Sequence, residues 1–334
     1  MTEAGRPPET GSPLRTRLRR RARRSNLGAR AGPLIALLGL AGAVSIGHPL
    51  FLSAYGLNTL ASAASVIMLL AAGQFLPISI GSIDLSMGAL TAFGTVLLAL
   101  WLPHLGPLAV PAMLIAIAAA GLLNGLIIVA FQMPSFIATV GTLGLWSGVS
   151  LVVSSASAVS VTGGYRVIAW LNGNIDRVPV SFLFAIAVMT VLGGVLTLTP
   201  VGRLALYAVG LAEPAAQMSG VRVAIVKVLC FAAAGLFSGL TALVLVAQDI
   251  SGDPTSANSL LLPSIAAVVV GGNAITGGTG GMSRVLIGAL IITVVQNGIG
   301  VMGINPFYEQ IVYGVILVAA AGLTLDRSAI GVLK

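Results

Sequence analysis

Residues 199–222 read TPVGRLALYAVGLAEPAAQMSGVR, and this charge-bearing stretch separates two long apolar runs, 180–198 and 223–247. About 20 apolar residues suffice for a helix to cross a bilayer, so both runs are predicted to span a membrane. Between them, Glu213–Pro214 predicts the start of a short helix, because proline is tolerated in the first helical turn. Gly220 is typical of a helix C-terminus. The pattern predicts a short amphipathic helix on the membrane surface, where a second protein can reach it.

The composition of the whole chain agrees with a membrane protein. Of its 334 residues, 57% are hydrophobic and 8% are charged, whereas soluble domains carry roughly 25% charged residues. So few charges cannot cover a surface that faces water. Apolar stretches recur without the alternation of strands, which predicts an all-α, polytopic membrane protein. No Ser-His-Asp set, paired carboxylates or metal-ligand cluster is apparent, so neither an enzyme nor a metal site is predicted.

Ten segments are predicted to cross the membrane, and the eighth is short enough to be a broken helix. They are 32–51, 57–80, 89–101, 108–131, 136–154, 180–198, 223–247, 262–272, 285–302 and 307–325. The predicted transmembrane domain therefore covers 32–326, with 199–222 as a cytoplasmic loop and 327–334 as a cytoplasmic C-terminus. Between the eighth and ninth segments, GGNAITGGTGG at 271–281 lacks the Gly-Lys-Ser/Thr ending of a phosphate-binding loop and predicts a tight turn.

Arginine is concentrated ahead of the first predicted span, at Arg6, Arg15, Arg17, Arg19, Arg20, Arg21, Arg23, Arg24 and Arg30. These side chains make up more than half of the 17 Lys and Arg residues. A basic arm can bind nucleic acid, but the positive-inside rule and attraction to anionic lipid explain it more simply. We expect residues 1–31 to be a disordered cytoplasmic tail that touches membrane lipid, and we expect no nucleic-acid partner.

A weak internal repeat links the two halves of the chain. AGLLNG at 120–125 is followed by Pro134, and VVQNG at 294–298 is followed by Pro306. The two segments belong to the fourth and ninth predicted spans, which run in opposite directions. Inverted repeats are common in transporters, so spans two to five and seven to ten are predicted to form two inverted halves around a central translocation path.

Asp84 differs from the other acidic residues because it lies in a glycine-rich bend with apolar sequence on both sides. A carboxylate in such a position faces the bundle interior, a water-filled cavity or a partner. One candidate role is on a solute path, where Asp84 would be a gate, a hydrogen-bonding group or a proton site. The other is to cap the third span by accepting hydrogen bonds from the backbone N–H groups of Ser86 and Met87. The capping role is favoured.

The other polar residues considered for a solute path are neutral, which suits a neutral, hydroxylated solute. The alternative for each of them is hydrogen bonding between closely packed helices. Together with Asp84, the candidates for the path are Asn124, Ser135, Thr139, Thr142, Gln296 and Asn297.

Several stretches resemble the membrane subunits of bacterial ATP-binding cassette (ABC) importers for ribose, xylose, galactosides and related solutes. GSIDLSMGAL at 81–90 is similar to their GGIDLSVG block, and PSFIATVGTLG at 134–144 to their PFIxTLG block. GRLALYAVGLAEPAAQMSGV at 202–221 resembles the GRxxxAxGxNxxAAxxSGI loop. The stretches 265–281 and 296–320 match the closing blocks, so the resemblance covers nearly everything after residue 55.

This resemblance implies a permease of about ten helices that works in a pair, with an identical or a different second permease subunit. It implies a separate ATPase subunit that holds ATP and Mg, so no cofactor is expected in this chain, and a periplasmic or lipid-anchored solute-binding protein. It implies a multi-pass protein of the bacterial inner membrane with cytoplasmic N- and C-termini. By match, the ATPase-coupling residues are Gly202, Arg203, Gly210, Ala215, Ala216, Ser219 and Gly220.

The chain departs from the family pattern at a few positions. Ser82 replaces the second glycine of the first block, and Ala212 replaces the asparagine of the loop. Because of such differences, the identity of the solute cannot be inferred from ribose-type relatives. A permease of the related branched-chain amino acid importers is one alternative, and a carrier coupled to protons through Asp84 is another. A membrane scaffold without transport activity is the third.

Overall fold

The computed structural model describes residues 32–200, 202, 206–305 and 307–324, and most of this part of the chain is helical. The predicted tail, 1–31, and the predicted C-terminal segment, 327–334, lie outside the described residues. The helices are α1 (Gly32–Gly47), α2 (Ala54–Ser79), α3 (Met87–Leu105), α4 (Ala109–Phe131), α5 (Ser135–Val153), α6 (Val180–Leu198), α7 (Tyr207–Leu211), α8 (Glu213–Met218), α9 (Val223–Asp249), α10 (Leu261–Val270), α11 (Met282–Val301) and α12 (Phe307–Thr324).

Six helical stretches among the described residues are long and apolar enough to cross a membrane, as expected of a multi-pass membrane protein. One of them, Met87–Phe131, contains both α3 and α4, which are joined by a short 3-10 turn. Three further apolar helices are shorter, namely Gly32–Gly47, Ser256–Val270 and Phe307–Ala320. As predicted, the eighth segment is not a full span: α10 has 10 residues, or about 15 Å of helix against a hydrocarbon core of roughly 30 Å.

The two ends of the helix bundle differ in their connections. We call the end that carries residues 154–179 the upper end and the end that carries 199–222 and 271–281 the lower end. At the upper end Asn58, near the start of α2, donates a hydrogen bond to Asn174 Oδ1 (2.7 Å). At the lower end the Gly278 N–H donates to the carbonyl of Ser79, the last residue of α2 (2.9 Å). α2 therefore runs from the upper end to the lower end.

The core is organised around α2 and α9, which have 26 and 27 residues and pack against each other. α4 packs closely along α9, and two glycines allow this approach. A Cβ atom at Gly121 would lie 2.9 Å from the Gly235 Cα, and one at Gly125 would lie 2.7 Å from the Val228 Cα. Helices in lipid gain van der Waals contact in this way, because small residues let their backbones approach.

Two helices, α3 and α10, begin inside the bundle instead of at its ends. A Cβ atom at Gly73, in α2, would touch both Met87, the first residue of α3, and Phe237, in the middle of α9. A Cβ at Gly88 would lie 3.5 Å from the Leu261 Cβ, so the start of α10 is beside the start of α3. Each of these helices follows a connection without α-helix, 80–86 after α2 and 250–260 after α9, and the second connection ends in a 3-10 turn at Ser256–Leu260.

The upper end is closed by the connection between α5 and α6. Two short antiparallel pairs form there: β1 (Val159–Ser160) with β4 (Ser251–Gly252), and β2 (Asn174–Ile175) with β3 (Val178–Pro179). The β1–β4 pair joins residues far apart in sequence, and Tyr165 Oη donates to the Ala247 carbonyl (2.8 Å). This connection is thus fixed to the upper end of α9.

The break between α4 and α5 is where the sequence predicts it. α4 ends at Phe131, and Gln132 follows in the left-handed conformation, with a φ of 49°. Pro134 then precedes the first turn of α5.

The third predicted span, 89–101, is too short, because α3 continues through Pro103 and His104 to Leu105. A proline in the last turn removes only one backbone hydrogen bond. The chain leaves the helix at Gly106, whose φ of 52° is accessible to glycine without strain. The first predicted span is also too long, since α1 ends at Gly47 and Pro49–Leu52 forms a 3-10 turn.

Candidate functional site

The described residues of the stretch 199–222 form a lower surface that contains the short helices α7 and α8. α8 begins at Glu213 with Pro214 in its first turn, as the sequence predicts. It ends at Met218, and Gly220 follows with a φ of 84°, a conformation that favours glycine. The predicted short helix is confirmed, and it leads directly into α9.

This lower surface has a buried side and an exposed apolar side. Val209 and Ala216 are buried against the bundle, whereas Leu211 and Met218 are 69% and 90% exposed. All four lie on α7 or α8, so the two helices pack one face on the protein and present the other. An exposed apolar face rimmed by polar residues is a feature of protein interaction sites.

α7 is fixed to the lower end of α2 through close backbone contact. A Cβ atom at Gly210 would collide with the Ser79 carbonyl oxygen and with the backbone of Gly278. A Cβ at Gly278, whose φ is 74°, would lie 2.8 Å from the Leu211 backbone nitrogen. Glycine at both positions therefore lets α7, α2 and the turn 271–281 meet with no side chain between them.

α8 is fixed to the lower end of α9 through an ion pair. Lys227 Nζ, in α9, lies 2.6 Å from Glu213 Oε1, in the first turn of α8. The Val221 N–H donates to the Ala216 carbonyl (3.1 Å), which completes the tight bend between the two helices. The lower surface thus contacts both central helices, α2 through backbone packing and α9 through a salt bridge.

The structure places the other residues predicted for this surface as follows. Arg203 lies outside the described residues. Gly202 is buried against the end of α6, where a Cβ atom would lie 2.6 Å from the Leu196 Cα. Ala215 and Ser219 are exposed, and Ser219 Oγ donates to the Ala215 carbonyl (2.9 Å). The exposed members of the set are within reach of a partner.

A second group of candidate residues forms a buried polar cluster around the connection 80–86. Asp84 Oδ1 accepts two hydrogen bonds from Ser86, one from its backbone N–H (2.9 Å) and one from its hydroxyl (2.6 Å). Asn124 Nδ2, in α4, donates to Ser86 Oγ (2.7 Å). All three side chains are buried. Of the two capping bonds predicted for Asp84, the one from Ser86 is present; the second donor is the Ser86 hydroxyl instead of the Met87 amide.

The same connection is held from its other side by α5. The Ile83 N–H donates to Ser135 Oγ (3.1 Å), and the Leu85 N–H donates to Thr139 Oγ1 (3.1 Å). The Ile83 and Leu85 N–H groups lack the partners that a helix or sheet would provide, and the Ser135 and Thr139 hydroxyl groups take their place. Without these acceptors the two N–H groups would be costly to bury. Thr142 lies about one turn further along α5.

The structure does not bring all predicted path residues together. Asp84, Asn124, Ser135 and Thr139 meet at the connection 80–86, with Thr142 nearby. Gln296 and Asn297 lie instead in the upper part of α11. Asn297 Nδ2 donates to the Thr293 carbonyl (3.1 Å), and its side chain lines a separate cavity of about 240 Å³ beside His48 and Tyr55.

Two buried oxygens in the cluster, Asp84 Oδ2 and Asn124 Oδ1, have no protein partner among the described residues. Three further polar atoms of this kind lie on α5: Trp146 Nε1, Ser147 Oγ and Ser150 Oγ. Trp146 also stacks on Phe93 of α3, with ring centroids 5.8 Å apart. The sequence alone did not single out Phe93, Trp146, Ser147 or Ser150.

Helical spacing was the signal that could have found the polar face of α5. The face carries Ser135, Thr139, Thr142, Trp146 and Ser150. The intervals of three and four residues between them put these side chains on one side of a helix. This face points toward α3, against which α5 packs.

Few charged groups accompany these features. The described part of the chain has one ion pair, between Lys227 and Glu213. In the same residues, no three His, Cys, Asp or Glu side chains lie close enough to hold a metal ion. The two candidate regions are thus a surface suited to protein contact and a neutral polar interior with a single carboxyl group.

Comparison with known proteins gives a consistent picture. A family model described as "Branched-chain amino acid transport system / permease component" matches residues 56–321. The chain is 38% identical to the probable ABC transporter permease protein YphD of Escherichia coli (strain K12), over 83% of each chain. It is 34% identical to the ribose import permease protein RbsC of Bacillus subtilis (strain 168), over 89% of this chain and 93% of that protein.

A third relative is the D-allose transport system permease protein AlsC of Escherichia coli (strain K12). It is 30% identical over 85% of this chain and 86% of its own length. No solved structure matches the chain.

Proposed function

The chain belongs to the family described as the branched-chain amino acid transport system / permease component, and from that membership we propose that it is the permease subunit of an ABC importer for a sugar. One structural observation carries the coupling part of this proposal. The lower surface, 199–222, contacts both central helices while its apolar side chains Leu211 and Met218 remain exposed. This is what a membrane subunit needs if an ATPase drives it from below.

The substrate class rests on the relatives. The family description names branched-chain amino acids, but the relatives with named solutes are permeases for ribose and D-allose. A sugar is neutral and rich in hydroxyl groups, and the candidate path residues are neutral apart from Asp84. The amino acid alternative and the proton-coupled carrier are therefore not favoured. The chain is a transport subunit and not itself an enzyme.

Transport by this subunit requires partners with separate tasks. A separate ATPase subunit binds the lower surface and supplies ATP, Mg and hydrolysis, and the permease itself needs no cofactor. A periplasmic or lipid-anchored binding protein delivers the solute to the upper end, and a second permease subunit, identical or different, completes the path. Leu211 and Met218 are the exposed large apolar side chains of α7 and α8, and they are available for contact with the ATPase.

Coupling follows from the two attachments of the lower surface. Closure of the ATPase pushes on α7 and α8, and the residues that transmit the push are Gly202, Arg203, Gly210, Ala215, Ala216, Ser219 and Gly220. Because Gly210 abuts Ser79 and Glu213 pairs with Lys227, α2 and α9 receive the displacement together. Their movement opens a central path alternately to the two sides of the membrane.

The path is proposed to pass along the polar residues of the bundle: Asp84, Asn124, Ser135, Thr139, Thr142, Gln296 and Asn297. The first four already share hydrogen bonds with one another or with the connection 80–86. Their role is to shape and hold the wall of the path. Hydroxyl groups of a sugar would then exchange bonds with polar groups that the resting protein leaves unpaired.

We also propose ten membrane helices arranged as two inverted halves, α2–α5 and α9–α12. Their packing supports this. α4 packs on α9 and α11 packs on α2, while α3 contacts α4, α5 and α9 and α10 contacts α11, α12 and α2. α2 runs downward and α9 upward. The sequence pairs Asn124–Gly125 of α4 and Asn297–Gly298 of α11 occupy corresponding helices.

The proposed location is a bacterial inner membrane with the lower end and both termini in the cytoplasm. Arg222, Lys227 and Arg284 belong to the lower end, and the arginine-rich residues before α1 join the chain there. An excess of Lys and Arg marks the cytoplasmic side. On this basis residues 1–31 and 327–334 are cytoplasmic, and 32–326 form the permease domain.

The proposal is tested by isolating the tagged chain from its native membrane in mild detergent and identifying the proteins that accompany it. An ATPase chain in stoichiometric amounts is expected, and the co-purified complex in vesicles should take up a pentose or hexose, but not leucine, when ATP is present. Isolation of the chain alone after gentle crosslinking, or uptake that depends on a proton gradient at constant ATP, would contradict it.

A further inference from the structure

A pair of connected cavities lies between α6 and α11 at the lower end. The lower cavity has a volume of about 580 Å³ and is lined by Thr197, Ser283 and Arg284 among others. The upper one, of about 230 Å³, continues between the two helices. Gly193, Met282 and Ser283 line both, so they form one groove.

The groove changes character along its length. Its lower part presents the Arg284 guanidinium and the exposed hydroxyl of Ser283, which has no protein partner among the described residues. Its upper part is lined mainly by apolar side chains, including Ile186, Met189 and Leu286. A ligand that fits must be polar at one end and apolar at the other.

The charge of the lower part selects an anion. Arg284 donates one hydrogen bond to the Gly272 carbonyl (2.8 Å) and has no carboxylate partner among the described residues. No acidic side chain lines either part of the groove. The larger cavity beside α8 differs, because it contains both members of the Glu213–Lys227 pair.

The sequence adds further positive charge beside the groove. Pro33, at the start of α1, is one of the lining residues of the lower cavity. Arg30 lies three positions earlier, and three residues of chain reach no further than about 11 Å. Juxtamembrane clusters of basic residues attract anionic lipid.

We propose that this groove binds one anionic phospholipid. Its phosphate lies at Arg284 and Ser283, and one acyl chain runs upward between α6 and α11. None of the solute-path candidates lines this groove, and neither do Leu211 and Met218, the exposed apolar side chains of α7 and α8.

The test uses native mass spectrometry of the detergent-purified full-length chain, titrated with phosphatidylglycerol or phosphatidylethanolamine of identical acyl chains. Wild type is expected to retain phosphatidylglycerol preferentially. Arg284→Gln should weaken its binding about fivefold, the equivalent of roughly 1 kcal/mol for one basic residue at an anionic surface. Arg284→Lys, which keeps the charge, should preserve the preference.

A second pair of variants tests the apolar part of the groove without touching Arg284. A Cβ atom at Gly193 would lie 3.3 Å from the Met282 Cβ, so Gly193→Leu should fill the groove and weaken both lipids. Gly194→Leu is the matched control on the same helix, because an added Cβ there meets only Leu198, at 4.0 Å. It should bind both lipids as wild type does.

Three outcomes would overturn the proposal. The first is unchanged phosphatidylglycerol binding in Arg284→Gln. The second is unchanged lipid binding in Gly193→Leu, which decides the matter even if Arg284→Gln fails to fold. The third is displacement of phosphatidylglycerol by millimolar inorganic phosphate, since this would identify a site for the free anion instead of a lipid.

Discussion

The helices α2 and α9 are counterparts at the centre of the molecule, yet their surroundings differ. Each is followed by a connection without α-helix that leads to a helix starting inside the bundle. The connection after α2, 80–86, is held by several buried or partly buried side chains of α4 and α5. The connection after α9, 250–260, has one buried side chain, Thr95 of α3, bonded to the Asp253 backbone. Its other side-chain acceptor is the partly exposed Asp253 carboxylate, which receives bonds from Thr255 and Ser256.

The contacts of α2 and α9 with the lower surface also differ in their burial. α2 meets α7 through backbone contact at Gly210, whereas α9 meets α8 through the partly exposed Glu213–Lys227 pair. A buried polar group that loses its partner is costly, whereas an exposed polar group can form a hydrogen bond with water instead. The α2 side should therefore be intolerant of substitution, and the α9 side should be adjustable at low cost.

The largest effect is expected in the buried connection. Asp84→Leu removes the acceptor of the Ser86 N–H and hydroxyl, and we expect a loss of about 3 kcal/mol in stability, because charged and buried hydrogen bonds are the most expensive to break. Thermal unfolding of the detergent-purified protein measures it. Asp84→Asn keeps an acceptor oxygen and should lose about 1 kcal/mol. Equal stability of the two variants would show that these bonds do not hold the connection.

The next effect is expected at the contact between α7 and α2. Gly210→Val places a branched side chain against the Ser79 carbonyl and Gly278, and overpacking of this kind costs about 1–3 kcal/mol. Solute uptake by the complex should fall together with the stability of this variant. Gly144→Val, in α5, where an added Cβ atom would have no neighbour within 4 Å, is the control and should remain within about 0.5 kcal/mol of wild type. A stable, fully active Gly210→Val protein would show that the contact between α7 and α2 is not needed for coupling.

A smaller change in stability, but a clear functional one, is expected for the ion pair on the α9 side. Glu213→Lys and Lys227→Glu each place like charges opposite one another, at a cost of no more than about 1 kcal/mol for a partly exposed pair. Each single variant should hydrolyse ATP in the complex with reduced uptake. The double variant Glu213→Lys/Lys227→Glu restores opposite charges and should recover uptake. Failure of the double variant, with both singles folded, would count against the link between α8 and α9.

The smallest effect is expected at Asp253. Backbone bonds from Thr255 and Ser256 and the Thr255 hydroxyl hold the pKa of this carboxyl below its ordinary value. A lowered pKa means that the stabilisation is present above the ordinary value and is lost as the pH falls through the folded one. Asp253→Asn should cost less than about 1 kcal/mol at neutral pH. Wild type should lose this advantage in acid, as a pH series of unfolding measurements would record. A loss as large as that of Asp84→Leu would erase the contrast between the two connections.

Much of the architecture was predictable because it depends on local chemistry. The start of α8 at Glu213–Pro214, its end before Gly220 and the break after Phe131 follow from the conformational preferences of proline and glycine. The third span was predicted to end at 101, before Pro103, but a proline near a helix end does not dictate where the helix stops. The helix ends instead at Leu105, where Gly106 follows.

The sequence by itself determined that this is an all-helical membrane protein, which family it resembles and where short polar segments interrupt the apolar ones. Only the tertiary structure decided that Asn124 reaches Ser86, that Gly210 meets Ser79, and that Gln296 and Asn297 lie apart from the other polar residues. The physical reason is the uniform hydrophobicity of the chain. In a membrane protein both the lipid-facing and the core-facing sides of a helix are apolar, so the periodicity of apolar residues does not reveal which side is buried or which distant residues become neighbours.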